Sequence, residues 1–334
     1  ESKYYAIERG IITWKGDGTR QGYKPEEGFQ IPADVAAVSL EGLSLDAVTA
    51  NDSPNTLYFL GEDQTAPAGL DGKNIVTGAQ ADAIALEDGY DFFTPQTFKA
   101  SEISYKRTFT QGHNNKVRTG WSTIVLPFQP TKVMNQTDQK QIDWFRSSTD
   151  SGKQFWLCDF AEEDGQQVYF RNAPEMLANV PYLVAVPDNA WGAKWDLRGK
   201  EIVWSATDAT VKPDAIAYTS GQQMVFAGST YKQQLSGILG ITADGSQFST
   251  SGEQAVDAFH AYFKTIDGES AGAKALSIAI LSDDVNGIEP TPIATQNESE
   301  AAAIYDLSGR RIQGNDGSSL PKGIYIINGK KVVK

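Results

Sequence analysis

One cysteine, two histidines and three methionines are all that 334 residues carry of those types, and the shortage narrows the chemistry. With Cys158 alone no intramolecular disulfide can form, and a lone cysteine at an alternating strand position reads as a small buried apolar side chain. No CxxC, HExxH or paired-histidine spacing occurs, so no zinc site is expected. His113 sits in the string Gln111-Gly112-His113-Asn114-Asn115, which reads as a solvated turn. His260 shares a strand face with Tyr262 and Lys264, which reads as polar and at least half-exposed. Nothing flanking Cys158 joins it to either histidine as a thiol nucleophile. No apolar run approaches the ~20 residues of a membrane span. Positive charge is also short: a net charge of −13 argues against nucleic acid and anionic membranes as partners.

Other absences follow. The glycines at Gly221 and Gly228 lack the strand-to-helix context of a phosphate cradle. Glu162-Glu163-Asp164 reads as a solvated acidic turn, because no loop supplies the alternating oxygens of a calcium site. Glycoside hydrolysis needs two carboxylates about 5–10 Å apart; the 42 acidic residues offer many pairs, none marked by its flanks. The expectation is therefore no catalytic residue, no metal and no cofactor.

What is present reads as a mostly β protein. Hydrophobic residues make up 40% of the chain, and 31 Gly and 14 Pro supply the punctuation that many short strands need. The central stretch is 120–128 (GWSTIVLPF), with 181–187 (PYLVAVP) as its partner. Trp121, Thr123 and Val125 should face one way and Ser122, Ile124, Leu126 and Phe128 the other. Bulk on both faces predicts an interior strand, ended by Pro127 for want of an N–H.

Residues 1–99 carry strand-like triplets at 38–40, 57–59 and 74–76, a spacing suited to a short solenoid-like part in which strands stack. Asn51 and Asn55 fall at its turns. Residues 100–284 alternate strands and turns and predict a β-sandwich. Two hairpins are expected there, turning at Asp164-Gly165 and Asp244-Gly245. Further strands are expected over 201–204, 223–227, 258–265 and 275–281. Only 134–146 suggests a helix, capped by Thr137. Residues 285–303, with two prolines and little apolar content, read as a linker or an extra strand. Residues 304–334 read as a small C-terminal β module of three short strands, with Asn328-Gly329 as a hairpin turn. That tail carries +4 and the remaining 303 residues −17.

In the stretch 37–60, Leu40, Leu43 and Leu45 followed by Asn51 and Asn55 resemble degenerate leucine-rich repeats of bacterial surface proteins. YDLSGRRI followed by LPKGIYIINGKKVVK resembles the C-terminal sorting-type module of secreted Bacteroidota proteins of the type IX secretion class, carried by Tyr305, Asp306, Gly309, Arg310, Gly323 and Tyr325. The extra leading strand of full sorting modules has no counterpart in 290–303. GWSTIVLPF, PYLVAV, FHAYFKT and ALSIAIL, in that order, resemble β domains that precede such modules in adhesins and leucine-rich-repeat surface proteins, for which no catalytic residues are implied.

The resulting expectation is a non-catalytic, exported surface protein acting in binding or cell adhesion. It would be extracellular or on the outer cell surface with its signal peptide removed, not membrane-spanning, and would meet a protein or glycan ligand and, through its tail, an export or anchoring machinery. Two alternatives stay open: a carbohydrate-binding accessory domain or glycosidase fragment, and a structural stalk carrying upstream repeats. The candidate ligand contacts are Trp191 and Trp195, in the polar segment PDNAWGAKWDLRGK; tryptophans covering a sheet edge are the plainer reading.

Overall fold

A computed structural model describes residues 5–8, 10–14, 29–42, 47–114, 118–147, 149–213, 218–250, 254–268, 271 and 274–281, and the strands 304–306, 311–312, 324–327 and 330–333. Strands dominate these residues, and the chain divides into two compact units, Glu1–Glu289 and Pro290–Lys334.

The first unit begins with a parallel stack. Ile11–Trp14, Ala37–Ser39, Leu57–Leu60 and Asn74–Thr77 lie side by side in parallel register, so the three recurring triplets are neighbouring strands. A second, shorter parallel ladder joins Phe29–Gln30 to Val48–Thr49. Leu57 and Phe59 face one apolar cluster, while Tyr58 and Leu60 face another, as alternation in a doubly covered strand requires. Asparagines bind the turns. Asn51 Nδ2 donates to the carbonyls of Pro32 and Val35, both at 2.9 Å. Asn55 Nδ2 reaches the carbonyls of Glu87 and Tyr90, and its Oδ1 accepts from Glu87 N–H at 2.7 Å. Buried amides in such places complete backbone groups that turns leave unpaired.

The parallel run ends at Asn74–Thr77, which turns back antiparallel into Gln80–Glu87 through Thr77 and Gln80, but the sheet continues. Gln80–Glu87 pairs in parallel with Phe98–Thr108, which pairs antiparallel with Glu201–Val211, and the result is one ten-stranded sheet. The expected boundary at 99/100 falls inside Phe98–Thr108.

An eight-stranded sheet lies across the first core. Leu57, Tyr105, Val133 and Trp204 of the ten-stranded sheet meet Ile124, Phe155, Leu157 and Val184 of the other. The opposite face of the eight-stranded sheet carries a second core, where Cys158, Phe160, Phe170 and Leu276 meet Phe226 and Phe263 of a three-stranded sheet. Cys158 is a buried thiol in that core, as its position predicted, and it donates to Asn172 Oδ1 at 3.8 Å. Both expected hairpins form: Phe155–Glu163 with Gln167–Asn172, and Gly240–Ile241 with Gln247–Ser249.

Three expectations are corrected. The 120–128 stretch is a short strand, Ser122–Ile124, at the edge of its sheet, paired on one side only with Tyr182–Ala185. Its alternation holds: Trp121 lies in the second core and Ile124, Leu126 and Phe128 in the first. The ladder ends ahead of Pro127, and Val125 N–H instead donates to Phe259 O at 3.0 Å. Second, 134–146 is no helix: Lys132–Asn135 and Lys140–Ile142 form an antiparallel hairpin, followed by Trp144–Phe145. Val133 pairs with Trp204 and Ile142, and burial at that sheet edge outweighs a weak helical preference. Thr137 caps nothing helical; its Oγ1 accepts from Glu201 N–H at 2.9 Å. Third, Glu163 is not solvated but 6% exposed.

The second unit is a four-stranded sheet rather than a three-stranded one, in the order Arg311–Ile312, Ile304–Asp306, Ile324–Ile327, Lys330–Val333. Tyr305 and Asp306 lie on its second strand and Tyr325 on the third, with Asp306 opposite Tyr325. The segment 285–303, the Asn328-Gly329 turn, and Gly309, Arg310 and Gly323 lie outside the described residues.

Candidate aromatic binding site

Five aromatic rings and one imidazole gather beside the second core, drawn from four separate stretches. Parallel pairing sets Phe145 opposite Trp156, with ring centroids 5.5 Å apart. On the strand Phe155–Glu163, Phe155 and Leu157 enter the first core, so alternation sends Trp156 to the other face. There it is half-buried, and the residue opposite it on the next strand is the small Ala185.

The segment after Pro187 supplies two more tryptophans. Two single-turn 3₁₀ helices, Asn189–Trp191 and Ala193–Trp195, follow one another through Gly192. Asp188 caps the first by accepting from Ala190 N–H at 2.9 Å. Trp191 then lies 5.1 Å from Trp156 by centroid, and its indole N–H donates to His113 O at 2.9 Å. Phe145, Trp156, Pro187, Trp191 and Trp195 line an apolar hollow of about 180 Å³, edged by Lys153 and Gln154. Trp191 is 39% exposed and Trp195 half-buried, with Lys194 Nζ 5.0 Å from its ring centroid. The structure thus brings the two candidate tryptophans together around one hollow.

His113 is not the solvated turn its flanks suggested. Its ring lies 4.6 Å from Trp121, 5.0 Å from Trp156 and 6.4 Å from Trp191. Burial lowers its pKa, against the opposing pull of the Thr119 carbonyl. Nδ1 lies 2.9 Å from that carbonyl, which can only accept, so the neutral ring carries its proton on Nδ1. The imidazole packs among the three indoles, and Trp121 also meets Trp156 directly, with ring centroids 6.4 Å apart.

Sequence reasoning missed Phe145, Trp156 and His113 at this site. The strand FWLCDF carried one usable signal, since an indole at the alternate position from Phe155 and Leu157 must find cover on the second face. The other earlier candidates divide differently. His260 is not on an exposed polar face; its side chain is 21% exposed, and Tyr262 beside it is buried. Glu163 Oε1 accepts from Gln223 and Met224 N–H groups, holding the 221–224 turn. Gly221 and Gly228 serve packing: a Cβ on the first would strike Glu163, and one on the second Val125. Among the described residues no cluster of His, Cys, Asp and Glu is arranged to hold a metal ion, and no helix is long and apolar enough to cross a membrane. Compared with known protein families, curated proteins and solved structures, the chain matches none.

Proposed function

We propose that this protein is a non-catalytic, exported surface protein that acts by binding, and that the hollow between Trp156, Trp191 and Trp195 takes a ring of a glycan ligand. The observation carrying this reading is the convergence of three indoles from two distant stretches around an open apolar hollow, one of them 39% exposed. Indole faces give a saccharide ring's apolar side a large, rigid contact, while Lys153 and Gln154 at the edge offer hydrogen bonds to its hydroxyls. At about 180 Å³ the hollow is below the ~300–1,000 Å³ of drug-sized sites; it suits one ring.

The finer architecture belongs to the same reading. The in-register parallel strands and buried asparagines support a solenoid-like, leucine-rich-repeat-like part over 1–99. Two sheets enclosing the larger core support a sandwich-like centre over 100–284. The tail 304–334 is the sorting-type module that an export or anchoring machinery would read, as in secreted Bacteroidota surface proteins. The stalk alternative draws support from the same parallel stack.

The test is a glycan array followed by calorimetric titration of the best ligand. Trp191→Ala and Trp195→Ala should each weaken binding at least tenfold, equivalent to ~1.4 kcal/mol. An array without a binder, or full affinity in both variants, would overturn the proposal.

A further inference from the structure

A larger cavity, about 540 Å³, lies at the end of the strand Phe98–Thr108 and is walled by the segments 107–111, 120–122, 240–243, 255–257 and 260–261. It contains a linked set of ionisable groups. Asp88 Oδ1 accepts from Tyr105 OH at 2.6 Å and lies 3.6 Å from His260 Nε2. Asp88 Oδ2 lies 3.2 Å from Arg107 Nε. Arg107, 7% exposed, donates its other nitrogens to Thr123 O at 2.8 Å and Ser122 Oγ at 2.6 Å. Burying such groups is costly, and a cleft holding them is where function is sought first.

The bonding pattern selects a ligand class. Each nitrogen of Arg107 already holds one partner, which leaves two of its five N–H groups and, beside Asp88, little net charge for an anion. The Arg107 charge is balanced by Asp88, and Asp257 in the cavity wall is offset by Lys232 at 3.6 Å, so a cation gains little. His260 turns Nε2 toward a carboxylate, which places the proton of the neutral ring there and leaves Nδ1 an acceptor. Nδ1 has no partner among the described residues. The hydroxyls of Thr108 and Thr110 and the amide of Gln111 add polar groups along the wall, and Phe109 and Trp121 add ring surface.

We infer that this cavity is a second ligand site, separate from the tryptophan hollow, for a neutral polyhydroxylated ring, one hydroxyl of which donates to His260 Nδ1. It does not depend on the tryptophan hollow being a site.

The experiment follows the His260 imidazole by NMR at neutral pH while the whole chain is titrated with probes. These are methyl α-glucopyranoside, methyl α-mannopyranoside, methyl β-galactopyranoside and N-acetylglucosamine, with sulfate and tetramethylammonium as charged controls. Ala255 and Ala243 are exposed on the cavity wall, so Ala255→Trp fills the cavity without touching a core, and Ala243→Trp replaces it if the first variant misfolds. At least one saccharide should shift His260 in the wild type and in Trp195→Ala, and its affinity should fall at least tenfold in the filled variant. The inference is overturned if no saccharide shifts His260, if only a charged control does, or if the filled variant binds as the wild type. Persistence of the His260 shift in Trp195→Ala alongside loss of array binding would separate this site from the other.

Discussion

Thr123 and Ala261, 138 residues apart, exchange a pair of hydrogen bonds through one hydroxyl: Thr123 Oγ1 accepts from Ala261 N–H at 2.8 Å and donates to Ala261 O at 3.3 Å. A side chain thereby stands in for a ladder rung, joining the edge of the eight-stranded sheet to the strand His260–Thr265. Thr123 is fully buried, so Thr123→Val keeps the shape but orphans both groups of Ala261. It should cost ~1–3 kcal/mol in chemical denaturation, and Thr123→Ser should recover most of that. Equal stability of the valine and wild-type proteins would show that water reaches Ala261.

Trp121 closes the second core from one side and backs His113 from the other. Trp121→Ala should cost ~3–5 kcal/mol by denaturant unfolding. That is a large share of the ~5–15 kcal/mol typical of a folded domain. An unmoved midpoint would mean the strand is peripheral to stability.

Gly245 has φ of 67° in the hairpin turn, and a Cβ there would strike the Trp121 carbonyl oxygen. The turn is fastened to the same stretch by bonds from Gly120 N–H to Asp244 O and from Trp121 N–H to Gly245 O. Gly245→Ala should therefore destabilise by about 2–3 kcal/mol, and exchange of the Gly120 and Trp121 amides should accelerate most. Uniform acceleration across the unit would point to a global effect instead.

Both histidines are held below their ordinary 6.5, chiefly by burial. The unfolded chain protonates first, so their contribution is present above pH 6.5 and declines as pH falls. Asp88 moves the same way. Burial raises its pKa, but His260, Arg107 and Tyr105 outweigh that and hold it at about 2 against 3.8. Its share, about 2 kcal/mol, should vanish between those values. At the alkaline end, burial raises Tyr58 to about 12, so its share is complete below pH 10 and lost as pH climbs toward 12. Stability measured against pH should peak between about 7 and 9; a maximum near pH 5 would contradict neutral, buried imidazoles.

Deleting 304–334 should leave the body folded but displaced from the cell surface, if the tail is the sorting module proposed. Fractionating the native host decides it: normal surface display of the truncated protein would leave the tail a structural element only.

The parts legible in the sequence were local. Asp164-Gly165 and Asp244-Gly245 mark hairpins because turn geometry is fixed by two residues, and Trp121 announces burial by alternating with a run of apolar neighbours. What stayed hidden depends on partners far along the chain. Nothing near Met134 reveals that Trp204 will pair beside it and make a strand of a helical-looking segment. Nothing near His113 names Trp156 and Trp191 as its neighbours, and Trp191 stood out only because its polar surroundings left its bulk unexplained. Asp88 and His260 meet across a cavity that neither flank describes.

The strand Phe98–Thr108, 11 residues long, is held on one side by a parallel neighbour and on the other by an antiparallel one. The ten-stranded sheet therefore has no seam at residue 99/100. A fragment starting at residue 100 would keep most of that strand but lose the partner along one whole side. An unpaired edge of that length, with Ile103 and Tyr105 along it, invites pairing with another copy. Expression of the centre alone should give fibrils or inclusion bodies, and useful fragments of this protein will be those that keep the first hundred residues attached.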